Sequence, residues 1–261
     1  MDNFKNLTIY FTASPLQLIC INEHIMKNQG QKYKLFFFYS DQNPLAMQQM
    51  YKTLNKLNLQ DYDNIWMPKI KFLRIFYEIL FILKLKFKYR KKNLSFVILD
   101  FRNIFMQSLR RFFKNSKFTL IDDGFYSYVA YENFISKNLY LPVTRYLNFI
   151  GKLKKWLYFG ISFTDLAWRP FNLFTIYADE IDCKNTIFND LSYLRDENKK
   201  NNVKISDKLV YFIGTGMPER GAIKLEHELN LIKNLNNYWN TKGKDFYYVG
   251  KRATSKEKLK F

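Results

Sequence analysis

An apolar run from Leu7 to Ala13 stops at Ser14-Pro15 and gives way to a helical pattern. Strand-like and helix-like segments then go on alternating as far as Asp122-Asp123-Gly124. Serine suits a helix cap and proline the first helical position, so a helix is predicted from Ser14-Pro15 to about Asn28. Lys34 to Ser40 reads as the second strand and Pro44 to Leu57 as the second helix. Asn64 to Met67 is a short third strand, followed by a basic helix within residues 69–92. Ser95 to Asp100 is a strand, Asn103 to Phe113 a helix and Phe118 to Asp122 a fifth strand. Such alternation predicts a mostly parallel sheet with helices on both faces. In such sheets ligands bind outside the carboxyl ends of the strands, so Ser14 and Asp122-Asp123 can face one cleft.

A long, mostly helical stretch is expected from Phe125 to Phe163, and then a second α/β pattern. Leu173 to Ala178, Lys208 to Gly214 and Asp245 to Gly250 read as strands. Thr186 to Lys199 and Gly221 to Trp239 read as helices, and Ser255 caps a further one. Two halves are expected, residues 1–160 and 161–261. The second holds only about three strands, and the sequence stops at Phe261, one turn after that cap. The second half is therefore expected to be incomplete.

Charge is unevenly spread. Lys and Arg number 42 against 23 Asp and Glu, a net +19. Residues 69–155 hold 19 of the cations and only 5 of the acids. Nine cations fall in residues 69–92, interleaved with Phe72, Leu73, Phe76, Ile79, Leu80, Leu83 and Phe87 at spacings of three and four. A basic amphipathic helix of this kind can lie on an anionic membrane surface, or pack in a core with a solvated lysine face. Lysine dominates over arginine and no nucleic-acid motif occurs, so no nucleic-acid partner is expected. With 48% apolar residues the chain can build a core, which excludes a disordered protein. Two cysteines, Cys20 and Cys183, are too few for a disulfide framework or a cysteine-rich zinc site. No signal peptide is recognised at the N-terminus. The most apolar stretch, Ile75 to Leu83, contains Glu78 and is about half the length a bilayer requires. A cytoplasmic location is expected, with peripheral attachment at the inner face of the membrane through residues 69–92.

Three short motifs can carry chemistry. Asp122-Asp123-Gly124 closes a strand near solvent, where a carboxylate can act as a general base. Adjacent acids on an extended chain point opposite ways, so only one enters the site; a simple turn ending a strand fits the same residues. Gly214-Thr215-Gly216-Met217-Pro218-Glu219 follows a strand, and its backbone N–H groups can meet a phosphate. It is neither a Walker loop nor a complete dinucleotide fingerprint, and a plain β–α turn also fits. Lys251-Arg252 follows the last strand and can neutralise an anionic leaving group, or simply be solvated. His24 and His227 sit in predicted helices without metal-ligand spacing, so no metal site is expected.

Taken together and in order, these segments resemble a known family. Ser14-Pro15-Leu16-Gln17-Leu18 after a strand is similar to the N-terminal turn of bacterial sialyltransferases. These are the lipooligosaccharide sialyltransferases (glycosyltransferase family fifty-two) and the related capsular polysialyltransferases. Asp122-Asp123-Gly124 resembles their acidic motif. Phe212-Ile213-Gly214-Thr215-Gly216 with Met217-Pro218-Glu219 resembles the start of their nucleotide-binding half. Tyr247-Tyr248-Val249 with Ser255-Lys256-Glu257-Lys258-Leu259 resembles the segment around their basic histidine motif, where this chain has Lys251-Arg252-Ala253-Thr254. The resemblance implies a GT-B fold of two Rossmann-like domains. It implies inverting sialyl transfer from CMP-sialic acid to a hydroxyl of a cell-surface glycan, lipooligosaccharide or capsule, with no metal or other cofactor. Asp122 would be the base, with Asp123 beside it. Ser14, Gly214, Thr215, Gly216, Glu219, Lys251 and Arg252 would hold the donor. Two alternatives stay open: a GT-B enzyme using another nucleotide sugar, and a non-catalytic membrane-peripheral relative.

Overall fold

The structure is a computed structural model. It describes residues 6–39, 44–98, 103–122, 126–133, 135–137, 152, 156–157, 172–182, 184–200, 206–214, 218, 221, 223–250 and 258. The first five strands are β1 (Asn6–Thr12), β2 (Lys32–Tyr39), β3 (Tyr62–Trp66), β4 (Asn93–Ile98) and β5 (Lys117–Ile121). Between them run α1 (Pro15–Lys27), α2 (Pro44–Lys56), α3 (Lys71–Lys88) and α4 (Ile104–Phe112), and α5 (Tyr126–Asn133) follows. Ser14 caps α1 as its sequence foretells. Its Oγ accepts the Gln17 N–H, and Gln17 Oε1 in turn accepts the Ala13 N–H at 2.8 Å. Asn103 caps α4 in the same way, taking the N–H groups of Phe105 and Met106.

All the strands of the first sheet are parallel, in the order β3-β2-β1-β4-β5-β6-β7. Alternate residues of the inner strands face two different helix layers. On one face Phe11 stacks on Phe36, Phe38 and Phe96, and meets Phe81 of α3 and Phe105 of α4 edge to face. On the other, Tyr10 meets His24 of α1, and Phe37 meets Tyr51 of α2. The strands are therefore buried on both sides, and Ile9, Phe11, Leu35, Phe96 and Ile98 have essentially no exposure.

Strands β6 (Asn172–Thr175) and β7 (Thr186–Phe188) extend this first sheet. The sequence reading assigned both segments to the second half and made residues 186–199 a helix. Thr186-Ile187-Phe188 is β-branched and aromatic, and it pairs with β6 as a strand. The Asn189 side chain then accepts the Leu191 N–H, Leu191 takes a positive φ of 51°, and α6 (Ser192–Lys200) begins only there. Glu23 of α1 accepts the N–H groups of Tyr193 and Leu194, placing a carboxylate at the start of α6. Lys27 of α1 pairs with Asp190 at 2.9 Å. These contacts tie the end of the first compact unit, Met1–Glu197, back to its beginning.

The second unit, Asn198–Phe261, contains β8 (Leu209–Ile213), α7 (Leu225–Thr241) and β9 (Asp245–Val249). The two strands are parallel and in register from Leu209↔Asp245 to Ile213↔Val249. Ile232 of α7 and Phe246 of β9 are buried, whereas Tyr211, Ile213, Tyr247 and Val249 are exposed. Lys258 and Glu228 form a fully buried ion pair at 2.7 Å. The expected helix capped by Ser255 lies outside the described residues.

His24 is buried at 8% exposure in the core. Its Nδ1 is hydrogen-bonded with the Tyr10 hydroxyl at 2.7 Å, and the ring packs edge-on against Phe174. Burial pushes its pKa down to about 4 from 6.5. The folded state thus binds this proton less readily than the unfolded state. The resulting stability is fully present above pH 6.5 and is lost as pH falls toward 4. A shift of this size is worth about 3 kcal/mol. Urea unfolding across that window will show the loss in the wild type and a flatter profile in His24→Gln.

Candidate functional site

Strand order reverses between β1 and β4, which is where an open parallel sheet leaves a crevice at its carboxyl edge. Ser14 follows β1 at that edge. Asp122 follows β5, two strands away, roughly 10 Å at the usual strand spacing. These two sequence-predicted residues therefore share one edge of the first sheet. Ser14 is committed to capping α1, but the cap uses only an oxygen lone pair, and the hydroxyl proton is left to donate.

Asp122 is buried rather than near solvent, at 3% exposure. Oδ1 accepts the Ser127 hydroxyl proton from α5 at 2.5 Å, and Oδ2 accepts the Ile176 N–H just past β6 at 2.8 Å. Burial pushes the carboxyl above its ordinary value. Hydrogen bonds from Ser127, Thr175 and the Ile176 N–H act against that rise. An ionised carboxylate has about four lone-pair sites. The Ser127 hydroxyl on Oδ1 and the Ile176 N–H on Oδ2 hold the group in one orientation.

Sequence reasoning missed Ser127, Thr175 and Ile176. The signal for Thr175 was the parallel pairing of its strand with the strand of Asp122: Ile121 registers against Phe174, so Asp122 comes level with Thr175.

Gly214 follows β8 at the carboxyl edge of the second unit's sheet, where its N–H bonds the Val249 carbonyl at 2.9 Å. A Cβ there would run into the Tyr248 hydroxyl. Among the described residues that buried hydroxyl has no hydrogen-bond partner. A buried donor of this kind beside a glycine at a strand end is what a polar ligand would satisfy, and no local sequence signal marks Tyr248 for it. Asp123, Thr215, Gly216, Glu219, Lys251 and Arg252 lie outside the described residues. Among the described residues no cluster of three His, Cys, Asp or Glu side chains could hold a metal ion.

A family model described as alpha-2,8-polysialyltransferase (POLYST) matches residues 8–248 of this chain. No curated protein matches it. Among solved structures it is similar to UDP-GlcNAc 2-epimerase from Methanocaldococcus jannaschii in complex with UDP-GlcNAc and UDP. The identity is 11% and the TM-score 0.50, over 98% of this chain and 68% of that one. A second structure of the epimerase from the same organism gives 11% and a TM-score of 0.48 over the same shares. The first likeness supports the fold, an α/β architecture of GT-B type.

Replacing Asp122 by alanine leaves the Ser127 hydroxyl and the Ile176 N–H without their acceptor. Each buried group left unmet costs about 1–3 kcal/mol. Asp122→Ala will therefore unfold at lower urea than wild type by several kcal/mol, and Ser127→Ala by less, because it removes one donor and keeps the carboxylate.

Proposed function

This chain belongs to the alpha-2,8-polysialyltransferase family, and from that premise we propose that it performs inverting sialyl transfer from CMP-sialic acid to a hydroxyl of a cell-surface glycan. It is a sialyltransferase-like glycosyltransferase; the donor, the stereochemistry and the acceptor, lipooligosaccharide or capsule, are this proposal's own content. The observation that carries it is the Asp122 carboxylate: buried, raised in pKa, fixed by three donors and set at the ligand-binding edge of a parallel sheet.

In this reading Asp122 takes the proton of the acceptor hydroxyl as its oxygen attacks the anomeric carbon of the donor. The bond from that carbon to the CMP phosphate breaks, and the phosphate leaves with the electron pair. Lys251 and Arg252 neutralise that developing charge in place of the family's histidine. The backbone of residues 214–216 and the Tyr248 hydroxyl hold the nucleotide, with Glu219 beside them. Ser14 is a further donor-binding residue of this reading. Asp123 is the second acid of the motif and the competing base. The reaction needs no metal and no further cofactor.

Among the described residues no helix is long and apolar enough to cross a membrane. The exposed apolar face of α3, flanked by lysines, supports peripheral attachment at the cytoplasmic face of an anionic membrane, close to a lipid-borne acceptor.

The proposal gives two expected outcomes. Asp122→Asn lowers kcat by roughly a hundredfold or more. In the wild type the acid limb of kcat/KM lies above the ordinary aspartate pKa, because the base must be ionised and burial has raised it. If Asp123→Asn carries the loss and Asp122→Asn does not, the base is the second acid. In calorimetric titrations CMP binds, and UDP and GDP bind at least tenfold more weakly. Lys251→Ala weakens CMP by about 1.5–3 kcal/mol, a tenfold loss or more. Preference for UDP would make the donor another nucleotide sugar.

A further inference from the structure

Two surface features of the first unit meet at the carboxyl-terminal end of α3. The inner face of α3 buries Ile75, Glu78, Ile82 and Leu85. The opposite face exposes Phe72, Phe76, Leu80, Leu83 and Phe87, the last at 75%. Their spacing of four, four, three and four residues puts them on one stripe about 22 Å long. The exposed charged residues beside it toward the helix end, Lys84, Lys86 and Lys88, are all cations. Where the stripe ends, a cleft of about 430 Å³ opens between the segments leading into β4 and β5. Lys86, Arg90, Lys92, Arg111 and Lys114 line it, and among the described residues no carboxylate does. It lies at the amino-terminal edge of the sheet, opposite the edge that carries Ser14 and Asp122.

We propose that this cleft binds the phosphate of an anionic lipid headgroup while the α3 stripe enters the bilayer boundary beside it. The inference rests on the membrane-surface reading above and adds a specific site to it. The stripe offers an apolar surface, and the cations beside it a positive one. A bilayer of anionic lipids offers both within one headgroup layer. Cations that line one concave space can act together on a single phosphate, whereas lysines spread along a helix respond only to the average surface potential.

The test uses the full chain and co-sedimentation with phosphatidylcholine vesicles, either alone or containing about one-third phosphatidylglycerol. Three double variants of exposed residues are compared, each checked for wild-type circular dichroism: Phe76→Ser/Leu80→Ser in the stripe, Arg90→Gln/Lys114→Gln in the cleft, and Lys84→Gln/Lys88→Gln on the helix but outside the cleft lining. The wild type binds the anionic vesicles and not the neutral ones. The stripe variant loses most of that binding. The cleft variant loses roughly tenfold or more, and clearly more than the equally charged helix variant. Equal losses in the two charge variants would overturn the headgroup site and leave the membrane reading standing. No wild-type preference for anionic vesicles would overturn both. A wild-type dimer in solution that the stripe variant converts to monomer, with vesicle binding unchanged, would assign the stripe to a second copy and also overturn the proposal.

Discussion

Phe11 is the residue on which the first unit converges. It belongs to the strand at the turning point of the sheet order, between β2 and β4, and its ring touches those of Phe36, Phe38, Phe81, Phe96 and Phe105. Aromatic pairs add about 0.5–1.5 kcal/mol each beyond the area they bury. Phe96 carries the stack onward to Phe113 and Phe118. One row of rings thus fixes four neighbouring strands and clamps α3 and α4 to them. Because the strands are held so firmly, their carboxyl ends form a fixed edge, and loops can present Ser14 and Asp122 there. The abundance of phenylalanine in this chain has a structural use in this row.

Burying Asp122 opposes two effects of similar kind. Removal from water favours the neutral acid, whereas three hydrogen bonds favour the charged form. Burial prevails, so the carboxyl titrates higher than it would in water and is a stronger proton acceptor once ionised. A carboxylate surrounded by solvent would be ionised over a wider range of pH but would hold a proton less tightly. The same donors that moderate the shift also fix the carboxylate's direction, so its orientation and its basicity come from one set of contacts.

The first five strands and four helices were legible because most transitions carry their own local chemistry, and the uncapped α3 shows itself by apolar residues three and four apart. Ser14-Pro15 and Asn103 are caps, Pro44 opens a helix, and the strands are long enough to show their character. β6 and β7 were not legible as part of that sheet. A three-residue strand is too short to show a period, and its partner is chosen by tertiary contact. The start of α6 is set by Glu23, distant in sequence, which no local pattern could announce. The candidate site divides the same way. Asp122 and Gly214 could be read from their places at strand ends. Ser127, Thr175, Ile176 and Tyr248 could not, because their roles come from residues brought together by folding.

The Ile176 N–H that meets Asp122 comes 54 residues later in the chain. On a ribosome adding about 5–20 residues per second, those residues follow Asp122 by roughly 3–11 seconds. Until they emerge, β5 can pair with β4 but lacks its other neighbour, and the Asp122 carboxylate lacks the amide that helps orient it. The nascent chain therefore carries its phenylalanine core before it carries a finished acidic site. The start of the β6–β7 addition, which brings the Thr175 side chain and the Ile176 N–H to Asp122, sets the moment at which that site matures.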